Sequence, residues 1–322
     1  MHAIRQHEFG PPANLLYEEV ADPVPSEGEV RIAVEAAGVH LIDTAIRRGE
    51  AWGYPLPELP MVPGREVAGF VDEVGPGVSP DWGGRRVVAH LGFASGGYAE
   101  RAVAGVDSLH EIPEHVAADA AVAAIGTGRT AIAILEIAAL RSADVVLITA
   151  AAGGLGTLFV QAALGAGALV VGVAGGAEKV ANVRTLGAIG VDYLQPDWPE
   201  RVREALGERE PSVVLDGVGK DVGREALGLL GPGGRIILFG WSAGEPTQIT
   251  TSDLMRRGLT ATWALGQRPS RERQRELETK ALAAVAEGRL TPVTQRFPLA
   301  QAAAAHTAVE TRATIGKTVL VP

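Results

Sequence analysis

Residues 144–156, DVVLITAAAGGLG, run from an unbroken apolar stretch into a glycine-rich turn, and GLGTLFVQAALGAG then reads as a helix. A strand that is apolar at every position is buried on both faces, which calls for a parallel sheet covered by helices. The chain continues in the same manner. ALVVGVA, EKVANVRTLGA, VDYL, PERVREALGE, SVVLDGVG, VGREALGLLGPGG, RIILFGW and TATWALG alternate between strand and helix patterns. The fold class is therefore α/β, with a doubly wound parallel sheet over residues 123–267.

Residues 1–122 have another texture. EVRIAVEAAGV (29–39), EVAGFVDEVG (66–75) and RRVVAHLG (85–92) are short β runs, punctuated by Gly and Pro in PVPSEG and GPGVSPDWGG. They predict a mostly antiparallel β domain. The texture changes near residue 122, where AVAAIGTGRTAIAILEIAAL predicts a helix. Ser270 is placed to N-cap a charged helix ending before Gly288, and the tail RATIGKTVLVP closes in a strand-like run.

The glycine turn carries chemistry. In the G-x-G-x-x-G frame its positions are Ala151, Gly153 and Gly156, with Gly154 and Leu155 between them. Gly153 admits backbone close to a pyrophosphate, and Gly156 lets helix pack on strand. The helix N-terminus offers free N–H groups to phosphate. About twenty residues further on, dinucleotide sites often carry an acid for the ribose 2′-hydroxyl. Gly175 and Gly176 stand there instead, followed by Ala177, Glu178 and Lys179. The glycines leave room for a 2′-phosphate and Lys179 supplies positive charge, so the cofactor expected is NADPH. The competing reading of Lys179 is an exposed first-turn residue.

Composition narrows the rest. A formal charge of −9 argues against nucleic acid as a partner. The absence of Cys removes thiolate metal sites, disulfides and Cys nucleophiles. The N-terminus has no apolar signal core, and the apolar Gly/Ala stretches read as buried elements. A cytoplasmic protein without membrane insertion is the expectation.

PGREVAGFVDEVGPGV (63–78) with the following GGRRV resembles the PG-x-E-x-AG-x-V-x-x-VG signature of the medium-chain dehydrogenase/reductase superfamily. AAGGLG…Q (151–161), GAIGVDY (187–193), GPGGRIILFG (231–240) and RATIGKTVLVP resemble its quinone oxidoreductase branch, which includes zeta-crystallin. The resemblance runs the length of the chain. It implies a GroES-like domain from residues 1–122 and 268–322, a Rossmann domain at 123–267, and a homodimer paired through the strand around TATWALG. It further implies that Tyr193 and Arg312 help hold the 2′-phosphate beside Lys179. Gly240 then lies near the nicotinamide, and Thr130 near cofactor or substrate. A packed Tyr, a solvated Arg and a helix-capping Thr are the alternatives.

Zinc members of the superfamily carry a Cys near residue 40 and a His near 65; this chain has His40 and Arg65. His40, Glu66 and His90 are the donors left, and Arg65 places a fixed cation among them, so no metal is expected. HLIDTAIRRGEAWGYP (40–55) resembles the substrate wall of quinone reductases, with His40 in place of the usual Asn. Tyr54 as proton donor or stacking surface, or as a loop anchor, remains open. So does His40 as proton donor, as a group orienting the nicotinamide ribose, or as a packed residue. Asp43 organises the loop, pairs with Arg47 or acts in catalysis. The substrate implied is a quinone or enone. The alternatives are an enoyl or 2-alkenal reductase, with Arg47, Arg48 and Arg65 as a phosphate-binding rim, and a cofactor-binding structural or RNA-binding protein.

Overall fold

The computed structural model describes residues 1–50, 55–92, 96–266 and 269–322. They form two units: residues 1–128 with 278–288 and 292–322, and residues 129–277 with 289–291.

In the first unit β1 (His2–Gln6) and β2 (Leu15–Glu19) make an antiparallel ribbon. The main sheet contains β3 (Glu29–Gly38), β4 (Glu66–Val74), β5 (Arg86–His90), β6 (Arg101–Gly105) and β7 (Leu109–Glu111). Two strands from the end of the chain, β14 (Thr294–Pro298) and β15 (Lys317–Val321), extend it in the order β14-β15-β3-β4-β5-β7, with β6 also on β3. All pairings are antiparallel except β14 with β15. The period-two pattern of β3 explains its placement: Val30, Ile32 and Val34 are buried, and join Ile4, Val67, Val71, Val87, Leu109 and Leu320 in one core. Helix α1 (Leu41–Arg48) leaves the end of β3, and the Asp43 carboxylate accepts from the His40 N–H at 2.8 Å.

A helical run follows: α2 (Ala118–Ala123), a π turn (Ala124–Gly128) and α3 (Arg129–Ala138). Thr130 lies inside this run rather than at a helix start, so it has no capping role. Among the described residues this is the one helix long and apolar enough to cross a bilayer, and more than half of its most apolar window is buried. Within its own unit α2 packs on β3 and β4.

The second unit holds six parallel strands. They are β8 (Val145–Ile148), β9 (Leu169–Ala174), β10 (Ile189–Asp192), β11 (Val213–Asp216), β12 (Arg235–Leu238) and β13 (Thr260–Trp263). Their order is β10-β9-β8-β11-β12-β13, so the winding reverses between β8 and β11. Helices α4 (Gly154–Gly165), α5 (Ala177–Thr185), α6 (Trp198–Leu206), α7 (Lys220–Leu229) and α8 (Thr251–Arg257) connect them. Every residue of β8 and β11 is buried, as continuous apolar runs require. Ser270 caps α9 (Arg271–Ala286), accepting the Arg273 N–H at 3.2 Å. A last helix, α10 (Ala302–Glu310), precedes β15.

Candidate active site

The glycine turn sits at the carboxyl end of β8. Ala151 and Ala152 are buried, and Gly153 is the N-cap of α4 with no side-chain cap on that helix end. A Cβ on Gly156 would stand 2.2 Å from the Ala150 carbonyl oxygen and 2.7 Å from Ala151 Cα. Only hydrogen fits there, and Gly154 and Leu155 are left partly exposed at the uncapped N-terminus. Peptide N–H groups at such an end attract phosphate.

The end of β9 lies beside it. Gly176 has φ +92°, which L side chains rarely adopt, and its N–H donates to Asp192 Oδ1 at 2.9 Å. At Gly175 a Cβ would stand 3.2 Å from the Tyr193 ring, a tight contact. The gap seen in the sequence is therefore half backbone geometry and half the seat of an aromatic ring. Lys179 follows in the first turn of α5, partly exposed. Burial pushes the Asp192 carboxyl up, and the N–H groups of Gly176 and Leu194 outweigh it, holding the acid below its usual range.

Asp216 organises the switch point. Fully buried at the end of β11, it accepts from Thr149 Oγ1 at 2.7 Å, from Thr247 Oγ1, and from the Val218 N–H at 2.9 Å. Gly240, two residues beyond β12, faces Gly217, with 3.2 Å between its Cβ position and the Gly217 carbonyl oxygen. Sequence reasoning missed Asp192 and Asp216. The available signal was an acid at the tip of an apolar strand, in VDYL and VVLDG.

Arg312 belongs to the first unit, exposed and at φ +55° in the turn between α10 and β15. Tyr54 lies outside the described residues.

His40 is built into a charge cluster of the first unit. Its Nε2 is 2.6 Å from Glu66 Oε1 and 2.8 Å from Lys317 Nζ, and Lys317 Nζ is 2.9 Å from Glu66 Oε2. Glu66 thus faces both groups at ion-pair distance. Burial raises the Glu66 pKa, but His40 and Lys317 together hold it well below the carboxylate range. The adjacent Asp43 pairs with Arg65 at 3.1 Å and accepts from the Tyr98 hydroxyl at 3.2 Å. Tyr98 in turn meets His306 Nε2 at 3.2 Å.

Among the described residues no group of three or more His, Asp or Glu side chains is arranged to hold a metal ion. The Lys317 ammonium stands against His40 and Glu66, two of the three donors left for a zinc site.

The geometry is that of a nucleotide-dependent oxidoreductase, and comparison with known proteins places it. Residues 26–114 match the alcohol dehydrogenase GroES-like domain family, and residues 154–285 the zinc-binding dehydrogenase family. The chain belongs to the medium-chain dehydrogenase/reductase superfamily. Within it the chain falls in the quinone oxidoreductase branch. It is 32% identical to quinone oxidoreductase 1 of Escherichia coli, over 99% of both chains. It is 35% identical to 2-haloacrylate reductase of a Burkholderia species, over 98% of this chain and 97% of the relative. The crystal structure of E. coli quinone oxidoreductase complexed with NADPH superposes with a TM-score of 0.85, at 31% identity and full coverage of both chains. A crystal structure of an NAD-dependent alcohol dehydrogenase reaches 0.88 at 30% identity, again with full coverage of both. The fold is thus shared by proteins of different cofactor.

Proposed function

We propose that the chain is an NADPH-dependent reductase of quinones or similar conjugated carbonyl acceptors. One observation carries the reading: the uncapped α4 N-terminus and the Gly175–Tyr193–Lys179 corner lie at adjoining strand ends, where a dinucleotide's pyrophosphate and 2′-phosphate are held. The residues fit the cofactor. Ala151, Gly153, Gly154, Leu155 and Gly156 supply backbone to the pyrophosphate. Gly175, Lys179 and Tyr193 supply the phosphate corner, and Arg312 is added to the set by the family resemblance alone. Gly240 and Thr130 complete the cofactor set.

When bound, the reduced nicotinamide supplies hydride. The chain's own work is to hold that ring against an acceptor and to exclude water. Quinones accept hydride readily, so positioning provides much of the rate. No Lewis acid is assigned, because Lys317 occupies the His40–Glu66 donor set. The engagement of His40 Nε2 supports a positioning role at the start of α1 over proton donation. The relative named 2-haloacrylate reductase keeps α,β-unsaturated acids among the candidate acceptors.

A homodimer is part of the reading. Strand β13 is the outer strand of its sheet, with Thr260, Ala261 and Trp263 exposed. An unpaired edge of this kind is a template for a second copy.

The test is NADPH oxidation with a panel of benzoquinones, naphthoquinones and enones. Turnover with quinones is expected. Tight NADPH binding without turnover on any acceptor would leave a binding role instead.

A further inference from the structure

The first unit holds a cavity of about 240 Å³ where β1, α1 and the segment ahead of β4 meet. A cavity of roughly 150 Å³ already holds benzene. Among the described residues that line it, none is assigned to the cofactor. Ile46, Leu56 and Met61 give it an apolar wall, and the exposed Leu56 marks its mouth.

Gln6 and Arg47 line the same cavity, and both are short of partners. Gln6 is fully buried. Its Nε2 donates to the Glu8 carbonyl at 3.0 Å and to the Arg47 carbonyl at 2.9 Å, which fixes the orientation of the amide. Its Oε1 is left without a donor among the described residues. Arg47, only 1% exposed, donates from Nη2 to Glu310, while its Nε and Nη1 find no acceptor there. Asp43, also in the wall, is already taken by Arg65, the Tyr98 hydroxyl and the His40 N–H.

The charges, by contrast, are answered. Glu310 pairs with Arg47, and Asp43 with Arg65. What the wall lacks is hydrogen-bond partners: an acceptor for Arg47 and a donor for Gln6. Buried polar groups are normally satisfied, so the pair calls for a molecule that offers both functions. A lone water offers both, but leaves the apolar wall unfilled.

We infer that this cavity is a binding site for a small neutral molecule carrying a primary carboxamide on an apolar body. The carbonyl oxygen of the ligand accepts from Arg47, its NH2 donates to Gln6 Oε1, and its body lies against Ile46, Leu56 and Met61. A carboxylate has no donor for Gln6 and adds a charge to a wall whose charges are paired. No bond is made or broken. The site is separate from the cofactor residues and does not depend on the reductase reading.

The test is isothermal titration calorimetry with cyclohexanecarboxamide, cyclohexyl methyl ketone and cyclohexanecarboxylate, which share one apolar body. The amide is expected to bind saturably, at least about tenfold more tightly than the ketone or the carboxylate. Met61→Trp fills the apolar wall and leaves Gln6 and Arg47 in place, so it should abolish amide binding. Arg47→Lys keeps a charge for Glu310, loses the guanidinium donors and should weaken the amide about tenfold. Circular dichroism checks that each variant is folded, and Met61→Trp decides alone should Arg47→Lys fail to fold. Equal or tighter binding of the carboxylate overturns the inference and marks an anion site. Absence of saturable binding by all three probes overturns it and leaves the cavity to water. Amide binding that survives Met61→Trp intact also overturns it, since the amide then binds elsewhere.

Discussion

Lys317 on β15 places its Nζ 2.9 Å from Glu66 Oε2 on β4, with Glu66 fully buried and Lys317 almost so. Such a pair is held together because separating it strands a charge. Lys317→Met leaves the Glu66 carboxylate without its ammonium partner, and is expected to destabilise the protein by roughly 3–5 kcal/mol. Adding Glu66→Gln removes the stranded charge and should recover part of that loss. Urea unfolding of the three proteins checks it. A double variant no better than the single would show that the two charges do not depend on one another.

The π turn is fitted to the same carboxylate. A Cβ on Gly126 would stand 1.5 Å from Glu66 Oε1, and Lys317 keeps Glu66 from yielding. Gly126→Ala should therefore cost about 1–3 kcal/mol by overpacking. Gly165, at the end of α4, has no atom within 4 Å of its Cβ position, so Gly165→Ala should be neutral or stabilising by up to about 1 kcal/mol. Thermal or urea denaturation of the pair separates the two outcomes by sign.

His306 gives the stability a pH dependence. The Tyr98 hydroxyl donates to Asp43 and accepts from His306 Nε2, leaving His306 Nδ1 buried without a partner among the described residues. Burial lowers its pKa to about 4, against the pull of Asp43. The neutral ring is the folded form, so its contribution is full above the unfolded pKa. It is lost as pH falls from that value toward the folded one, and amounts to roughly 3 kcal/mol. His306→Gln keeps a donor for Tyr98 and removes the titration. The difference in unfolding free energy between about pH 7 and about pH 4.5 should shrink in this variant. An unchanged difference would assign the acid lability to other groups.

The β13 edge makes a prediction about assembly. Thr260 and Ala264 turn their N–H groups to the Gly234 and Leu238 carbonyls, so the alternating Ala261 N–H points away from β12. Ala261→Pro removes that outward donor and spares the ladder. Light scattering should find a dimer in wild type and a monomer in the variant. A variant that remains dimeric would move the interface elsewhere.

The Rossmann sheet was legible because its strands are apolar at every position, a pattern that few other settings tolerate. The Ser270 cap was legible for a local reason as well. The charge cluster was not. Lys317 sits in GKTVL, which reads as an ordinary strand, and its partner Glu66 is brought to it only by the pairing of β15 and β4 on either side of β3. The π turn escaped because helical periodicity persists through it. At Gly175 the sequence suggested open space, whereas a Tyr193 ring, contributed by the segment after β10, fills part of it. Local pattern reports burial; it does not report which distant side chain arrives.

The central claim is tested most directly by fluorescence titration of NADPH and NADH against wild type and Lys179→Ala. A charge-assisted contact to the 2′-phosphate is worth about 1.5–3 kcal/mol, so NADPH should bind wild type at least about tenfold more tightly than NADH. The gap should close in Lys179→Ala, with NADH affinity unchanged. Equal affinity of wild type for the two nucleotides, or a preference that survives Lys179→Ala intact, would contradict the account.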